Sequence, residues 1–143
     1  MGLIYTEIEL SNPKRDTSKP ISVNVLVDTG AMMLCIPEYL AAQLRLQEIE
    51  KREVVIANAR SYQVSYVGPI QVKFANRTCF TGALVLGDTV LMGAVPMEDM
   101  DLVVCPSTRT ITVNPASPDI PSAIVKFSNT TRHPAINGRF SSP

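Results

Sequence analysis

The sequence predicts a small, mostly-β, closed barrel-like domain with one or two short helices. Many short apolar runs are separated by turn residues, which is typical of a β-rich domain. Helical patterning is confined to two short stretches that follow Pro37 and Pro96. The length of 143 residues suits one compact domain and is too short for two ordinary ones.

The first half of the chain is expected to alternate strands with one short helix. Side chains in residues 3–10 alternate between apolar and polar, which predicts a half-exposed strand. Proline at position 37 suits the first turn of a helix. The predicted elements are a strand at 3–10, a loop at 11–19, strands at 21–27 and 32–36, and a short helix at 37–44.

The second half is predicted to consist of hairpins, one helical turn and a tail. Gly68-Pro69 is expected to break the chain between two hairpins. The predicted elements are hairpin strands at 54–56 and 62–67, a second hairpin at 70–74 and 79–86, a helical turn at 97–100, and strands at 102–104 and 110–113. Proline, serine and asparagine become frequent after Asn114, so the domain is expected to span residues 1–115 and a flexible tail residues 116–143.

An acidic residue lies between two apolar runs at Asp28-Thr29-Gly30-Ala31. Burying a lone carboxylate among apolar side chains costs folding free energy, so its presence here indicates a functional role for Asp28. Gly30 lets the backbone turn sharply where a Cβ would obstruct it, and the Thr29 hydroxyl can hold the turn. The pattern favours a catalytic carboxylate held rigidly at a strand end, and a simple Asp-x-Gly turn is the alternative.

A second apolar run, at residues 90–94, contains another glycine. Leu91, Met92 and Gly93 form a glycine element just before Pro96. Two strands that each break at a glycine are what a crossed pair of active-site loops needs. Asp88 also precedes a threonine, but Val90 stands where the glycine should be, so Asp88 is interpreted as a turn acid.

Residues 25–31 and 90–93 together resemble the retropepsin-like aspartic proteases, the retroviral-type, single-lobe family. The resemblance covers roughly residues 3–115, and it implies the closed barrel-like retropepsin fold with the activity of an aspartic endopeptidase. In that activity, one carboxylate takes a proton from water while a second donates a proton to the substrate. Since the chain supplies one convincing acid, the resemblance implies a homodimer with one Asp28 from each chain.

The resemblance also assigns supporting roles around Asp28. Thr29 would hydrogen-bond across the dimer, Gly30 would give its backbone N–H to a carboxylate oxygen, and Ala31 matches retroviral members of the family. The hairpin turn at Ile56, Ala57, Asn58, Ala59 and Arg60 occupies the place of the substrate-binding flap.

This turn lacks the glycines typical of retroviral flaps, although Asn58 can adopt a left-handed conformation. An ordinary hairpin is therefore the alternative to a flap. For the whole protein, the alternatives are a catalytically weak peptide-binding or dimerisation module on the same fold, and a β-rich structural subunit with Asp28 as a turn acid.

Composition limits the partners that we expect. Lysine plus arginine and aspartate plus glutamate both number 13, so no long-range field attracts nucleic acid or an anionic membrane. The chain has no apolar stretch long enough to span a membrane and no signal-peptide pattern at its start. The expected partners are a peptide or protein substrate and a second copy of the chain.

The number and spacing of the cysteines bear on the cellular location of the protein and on whether it binds a metal ion. Cys35, Cys79 and Cys105 are widely spaced and odd in number, which argues against a disulfide framework and for a reducing, cytoplasmic location. His133 is the only histidine, so a zinc site is not expected, and no cofactor is expected.

Overall fold

The computed structural model describes residues 3–15 and 19–126. The elements in chain order are β1 Ile4–Ser11, β2 Ile21–Val27, β3 Leu34–Ile36, α1 Glu38–Gln43, β4 Gln47–Val55, β5 Ser61–Phe74, β6 Arg77–Val85, β7 Val90–Met92, α2 Ala94–Asp99, β8 Leu102–Cys105 and β9 Thr110–Val113. The mostly-β class with two short helices is therefore confirmed.

The main sheet closes on itself as a barrel. Its hydrogen-bonding order is β1-β2-β7-β3-β6-β5-β4, and β1 also pairs with β5, so six strands form the closed ring and β4 lies outside it. Inward-facing side chains on β1 and β2 follow the period of two that a strand imposes. The core is made of aliphatic side chains with no exposed surface, including Leu10, Val25, Leu34, Ile36, Ile70, Val72 and Met92.

The strand predicted at 32–36 is shorter than expected and begins at Leu34. Met32 and Met33 are apolar, but they lie in a loop instead of a strand. Their backbone carbonyls accept hydrogen bonds from Val95 at 2.9 Å and from Gly93 at 3.1 Å. The loop is therefore held by hydrogen bonds from residues about 60 positions later in the chain, which a local apolar pattern does not reveal.

The predicted break at Gly68-Pro69 is wrong, because β5 runs through both residues. The register against β6 shifts between Val67 and Ile70, and this irregularity accommodates the two residues within the strand. The first part of β5 pairs with β4, which begins at Gln47, seven residues earlier than the predicted strand at 54–56. The predicted strand was too short because most side chains in the first part of β4 are polar or charged and none of its residues is fully buried, so the apolar signal of a strand is missing there.

The cysteines are all free. Cys79 is buried, and burial together with nearby Asp99 raises the pKa of its thiol to about 12. Cys35 and Cys105 are only half-buried, so Cys79 is the cysteine that packs as a small buried hydrophobe.

The segment that follows β9 is hydrogen-bonded to the domain. Asp101 accepts hydrogen bonds from the Asn114 amide at 3.0 Å, from the Ser122 backbone N–H at 2.8 Å and from the Ser117 hydroxyl. The fully buried Arg77 guanidinium donates to the Ser117 carbonyl. The chain is thus attached at least as far as Ser122, and residues 127–143 of the predicted tail lie outside the described residues.

Candidate active site

The turn that carries Asp28 starts where β2 ends. β2 pairs in parallel with β7, and the Asp28 backbone N–H donates to the Met92 carbonyl at 3.0 Å. The Gly30 N–H donates to Asp28 Oδ1 at 2.9 Å, and the Ala31 N–H donates to the Asp28 carbonyl at 3.0 Å. The carboxylate is therefore oriented by the backbone of the turn that follows it.

β7 is inserted between the two strands that this turn connects. β2 and β3 are consecutive in the chain, but each pairs with β7 rather than with the other. The loop between β2 and β3 must therefore cross over the end of β7, where Gly93 lies.

Gly93 is the point at which this loop crosses the glycine element. A Cβ on Gly93 would lie 2.6 Å from the Met32 carbonyl carbon and 2.7 Å from the carbonyl oxygens of Ala31 and Met33. Its φ of −89° is ordinary for any residue, so glycine is needed here for space and not for conformation. The loop is held further by a hydrogen bond of 2.8 Å from the Ala94 N–H to the Ala31 carbonyl.

Asp28 lies at the surface of the single chain beside an apolar cavity of about 270 Å³. The cavity is lined by Leu3, Ile4, Leu26, Val27, Asp28, Thr29 and Val104. Asp28 is the ionisable residue of that lining. None of the ion pairs found within residues 3–15 and 19–126 involves it. The carboxylate is thus open to an approaching molecule and not neutralised by a neighbouring cation.

Two large apolar side chains near the candidate site are also exposed. Leu3 lines the cavity and Met32 follows the turn at residues 28–31, and each is 63% exposed. Exposed apolar residues next to an apolar cavity are typical of a surface that contacts another molecule.

The predicted flap is the β4–β5 hairpin turn. The Ile56 N–H donates to the Arg60 carbonyl at 3.1 Å, and the Arg60 N–H donates to Asn58 Oδ1 at 3.0 Å. The left-handed residue is Ala59, with φ of 65°, and not Asn58, whose side chain instead accepts the hydrogen bond that closes the turn. All of residues 56–60, including Ala57, are exposed.

The structure brings together some predicted site residues and not others. Residues 28–31 contact the glycine element at 91–93 through the hydrogen bond from Asp28 to Met92 and through the close approach of Gly93 to the Ala31 carbonyl. No residue of the turn at 56–60 lines the cavity beside Asp28. The sequence did not predict Val104 as a site residue, because only the packing of β8 brings it to the cavity. It did not predict Leu3 either, although the position of Leu3 at the start of a predicted strand could have indicated it.

Neither a metal centre nor a membrane-spanning helix is found among the described residues. In residues 3–15 and 19–126 no group of three or more histidine, cysteine, aspartate or glutamate side chains could hold a metal ion. In this part of the chain, no helix combines the length and the apolar character needed to cross a membrane.

Comparison with solved structures identifies the fold. The EIAV protease, in its complex with the inhibitor HBY-793, superposes with a TM-score of 0.55 at 18% sequence identity, covering 73% of this chain and 93% of that chain. No protein-family model matches the chain, and no curated protein matches it in sequence. At this identity the similarity shows the fold alone, and the fold is that of the retropepsin-like proteases.

Proposed function

We propose that the protein is an aspartic endopeptidase that acts as a homodimer, with one Asp28 from each chain. The observation that carries the proposal is the crossed loop around Gly93, which presents an oriented carboxylate at the surface beside an apolar cavity. This arrangement occurs on a chain with the retropepsin-like fold.

The proposed chemistry needs two carboxylates that share one proton. The deprotonated carboxylate takes a proton from a water molecule as that water attacks the peptide carbonyl. The protonated carboxyl donates to the developing oxyanion, and a proton then passes to the leaving amine. Two like charges about 3 Å apart do not both ionise, so the pair keeps one proton at working pH.

The second carboxylate has to come from another molecule. Asp28 has no carboxylate neighbour in the lining of its cavity. A two-fold axis that passes beside Asp28 would place two copies of this residue together and create one shared site. The exposed Leu3 and Met32 supply apolar surface for such a contact or for the substrate.

The substrate is a peptide or protein strand. The cavity lining is apolar apart from Asp28 and Thr29, so it favours an extended segment with apolar side chains next to the cleaved bond. The turn at Ile56, Ala57, Asn58, Ala59 and Arg60 would close over this segment and exclude water.

Specific activity measured against enzyme concentration tests the dimer and the chemistry together. Activity per milligram is expected to rise with concentration and then reach a plateau, because only the dimer holds two carboxylates. Asp28→Asn removes the activity, and Asp88→Asn, the exposed acid of the other Asp-Thr pair, keeps it. Activity independent of dilution, or retained in Asp28→Asn, would contradict the proposal.

The second candidate is a dimeric peptide-binding module with little turnover. The flap turn favours it, because Ala59 occupies a left-handed conformation that glycine adopts more easily, which makes the turn stiff. Peptide binding without cleavage between pH 3 and pH 8 would support this candidate. Rapid cleavage that is inhibited by pepstatin would eliminate it.

A further inference from the structure

A basic cavity lies at the opposite end of the barrel from Asp28. Its volume is about 310 Å³, and its lining is Asn12, Lys14, Arg15, Arg45, Gln47 and Gly68. Three of these six residues are cations and none is acidic, although the whole chain has a formal net charge of zero. The positive charge is therefore a local feature of this cavity.

One buried side chain holds the two loops that supply the cations. Asn12 is 6% exposed, and its amide donates to the carbonyls of Leu44 at 2.9 Å and Arg45 at 3.1 Å. The Asn12 Oδ1 accepts the Lys14 backbone N–H at 2.9 Å, and its carbonyl accepts the Arg15 N–H at 3.1 Å. The backbones that carry the three cations are thus joined before any ligand arrives, which lowers the entropy cost of binding.

The cations of the cavity have no carboxylate partner among the described residues. The ion pairs of residues 3–15 and 19–126 use Lys51, Arg52 and Arg77 instead. A cavity with three cations and no acidic residue in its described lining attracts anions, and arginine side chains bind carboxylates with two parallel hydrogen bonds.

The position of β4 favours an extended peptide as the anion. Gln47 lines the cavity and is the first residue of β4, which is the last strand in the sheet order and has one edge that pairs with no strand of residues 3–15 and 19–126. An extended segment whose acidic side chains contact the cations can continue along that edge by backbone hydrogen bonding. A small free anion would contact only the cations and would form no backbone hydrogen bonds with β4.

We propose that this cavity binds an acidic segment of a peptide or protein through Lys14, Arg15 and Arg45. The site is separate from Asp28, because the seven residues of β2 span about 23 Å between the two ends of the barrel. Binding here does not depend on the proposed peptidase activity. In a cleaved protein, the acidic segment would have to lie about seven extended residues or more from the scissile bond.

Fluorescence anisotropy with full-length Asp28→Asn protein tests the proposal without cleavage. The probe is a labelled peptide in which six glutamates alternate with serine, and its control carries glutamine in place of glutamate. Saturable binding of the glutamate peptide is expected at 50 mM NaCl and should weaken at 500 mM, because the contacts are solvent-exposed and screened. Equal binding of the glutamine peptide, or no binding of either, would overturn the proposal.

Two triple variants that lose the same number of positive charges distinguish binding at this cavity from non-specific attraction of the acidic peptide to the protein. Lys14→Gln, Arg15→Gln and Arg45→Gln together are expected to weaken binding by roughly tenfold, at about a factor of two for each exposed ion pair. The matched triple variant replaces exposed cations elsewhere, namely Lys73→Gln, Arg109→Gln and Lys126→Gln, and should change affinity by less than about twofold. Similar losses in both triple variants would show non-specific attraction and reject the site.

Two further measurements complete the test. If the first triple variant does not fold, the double variant Lys14→Gln and Arg15→Gln, which leaves Arg45 unchanged, is expected to lose roughly fourfold in affinity. Inorganic phosphate should displace the peptide only at concentrations well above those of the peptide itself. Displacement by phosphate at lower concentrations than by unlabelled peptide would assign the cavity to a free anion and overturn the peptide proposal.

Discussion

Gly93→Ala is expected to destabilise the protein and to displace the turn that carries Asp28. The new Cβ would lie 2.6 Å from the Met32 carbonyl carbon, whereas ordinary contact begins at 3.4 Å, so the loop must retreat by the difference, about 0.8 Å. All three neighbouring atoms belong to the backbone of Ala31, Met32 and Met33, so no side chain can rotate away to relieve the contact.

The cost of this retreat follows from overpacking and weakened hydrogen bonds. Overpacking costs about 1–3 kcal/mol, and each stretched hydrogen bond from Gly93, Ala94 or Val95 to the loop forfeits part of about 1 kcal/mol. We expect a loss of about 2–4 kcal/mol in the free energy of unfolding. For the proposed peptidase, a displacement of nearly 1 Å at the Asp28 turn is also expected to lower kcat/KM by roughly 100-fold.

Urea unfolding followed by circular dichroism, together with peptide cleavage, measures both effects. Gly87→Ala is the matched control, because a Cβ there meets no atom within 4 Å and the φ of +82° costs only about 1 kcal/mol of strain. The reasoning is refuted if Gly93→Ala unfolds at the same urea concentration as Gly87→Ala and cleaves peptides as fast as that control does.

Three further predictions concern the catalytic acid, the flap and the attachment of the segment after β9. If Asp28 has the proposed catalytic role, Asp28→Asn should lower peptide cleavage by at least about 100-fold with an unchanged urea midpoint, because the exposed side chain would be needed for proton transfer and not for packing, and retained cleavage would contradict the assignment. Ala59→Gly removes left-handed strain from the flap turn, so kcat/KM should rise while stability changes by less than about 1 kcal/mol, and an unchanged kcat/KM would argue against a flap. Hydrogen bonds lower the pKa of Asp101 to about 2 from its ordinary value of 3.8, and the largest effect comes from Ser117. The ionised Asp101 therefore stabilises the folded protein fully above about pH 4, and this stabilisation is lost as the pH falls through 2. The difference in urea midpoint between wild type and Asp101→Asn should accordingly be largest near neutral pH and shrink as the pH falls from 4 through 2, and a difference that grows on acidification would exclude this account.

Local patterns predicted the elements whose contacts lie close in the chain. The strand expected at 21–27 is β2 from end to end, because the run of apolar and β-branched side chains there is a sufficient signal. The helix expected after Pro37 is α1, since proline and the following acidic residue act within one turn. The presence of glycine at positions 30 and 93 likewise indicated where the backbone had to turn or approach closely.

The same patterns failed where a distant partner determines the structure. Gly68-Pro69 normally interrupts a strand, but pairing with neighbours on both sides carries β5 through it. The polar and charged face of β4 concealed its first seven residues, because that strand lies outside the barrel and buries little apolar surface. The hydrogen bonds that attach Ser117 and Ser122 to Asp101 could not be anticipated from a stretch rich in proline and serine.

The sequence by itself determined the β-rich class, the acidic turn at residues 28–31 and the glycine element at 91–93, because side-chain alternation and turn chemistry act over a few neighbouring residues. Only the tertiary structure decided that β7 separates β2 from β3 and that the loop between them crosses Gly93. Only the tertiary structure brought Arg45 beside Lys14 and Arg15. These contacts join residues that are far apart in the chain, and the pairing of strands that are distant in sequence is what brings them together.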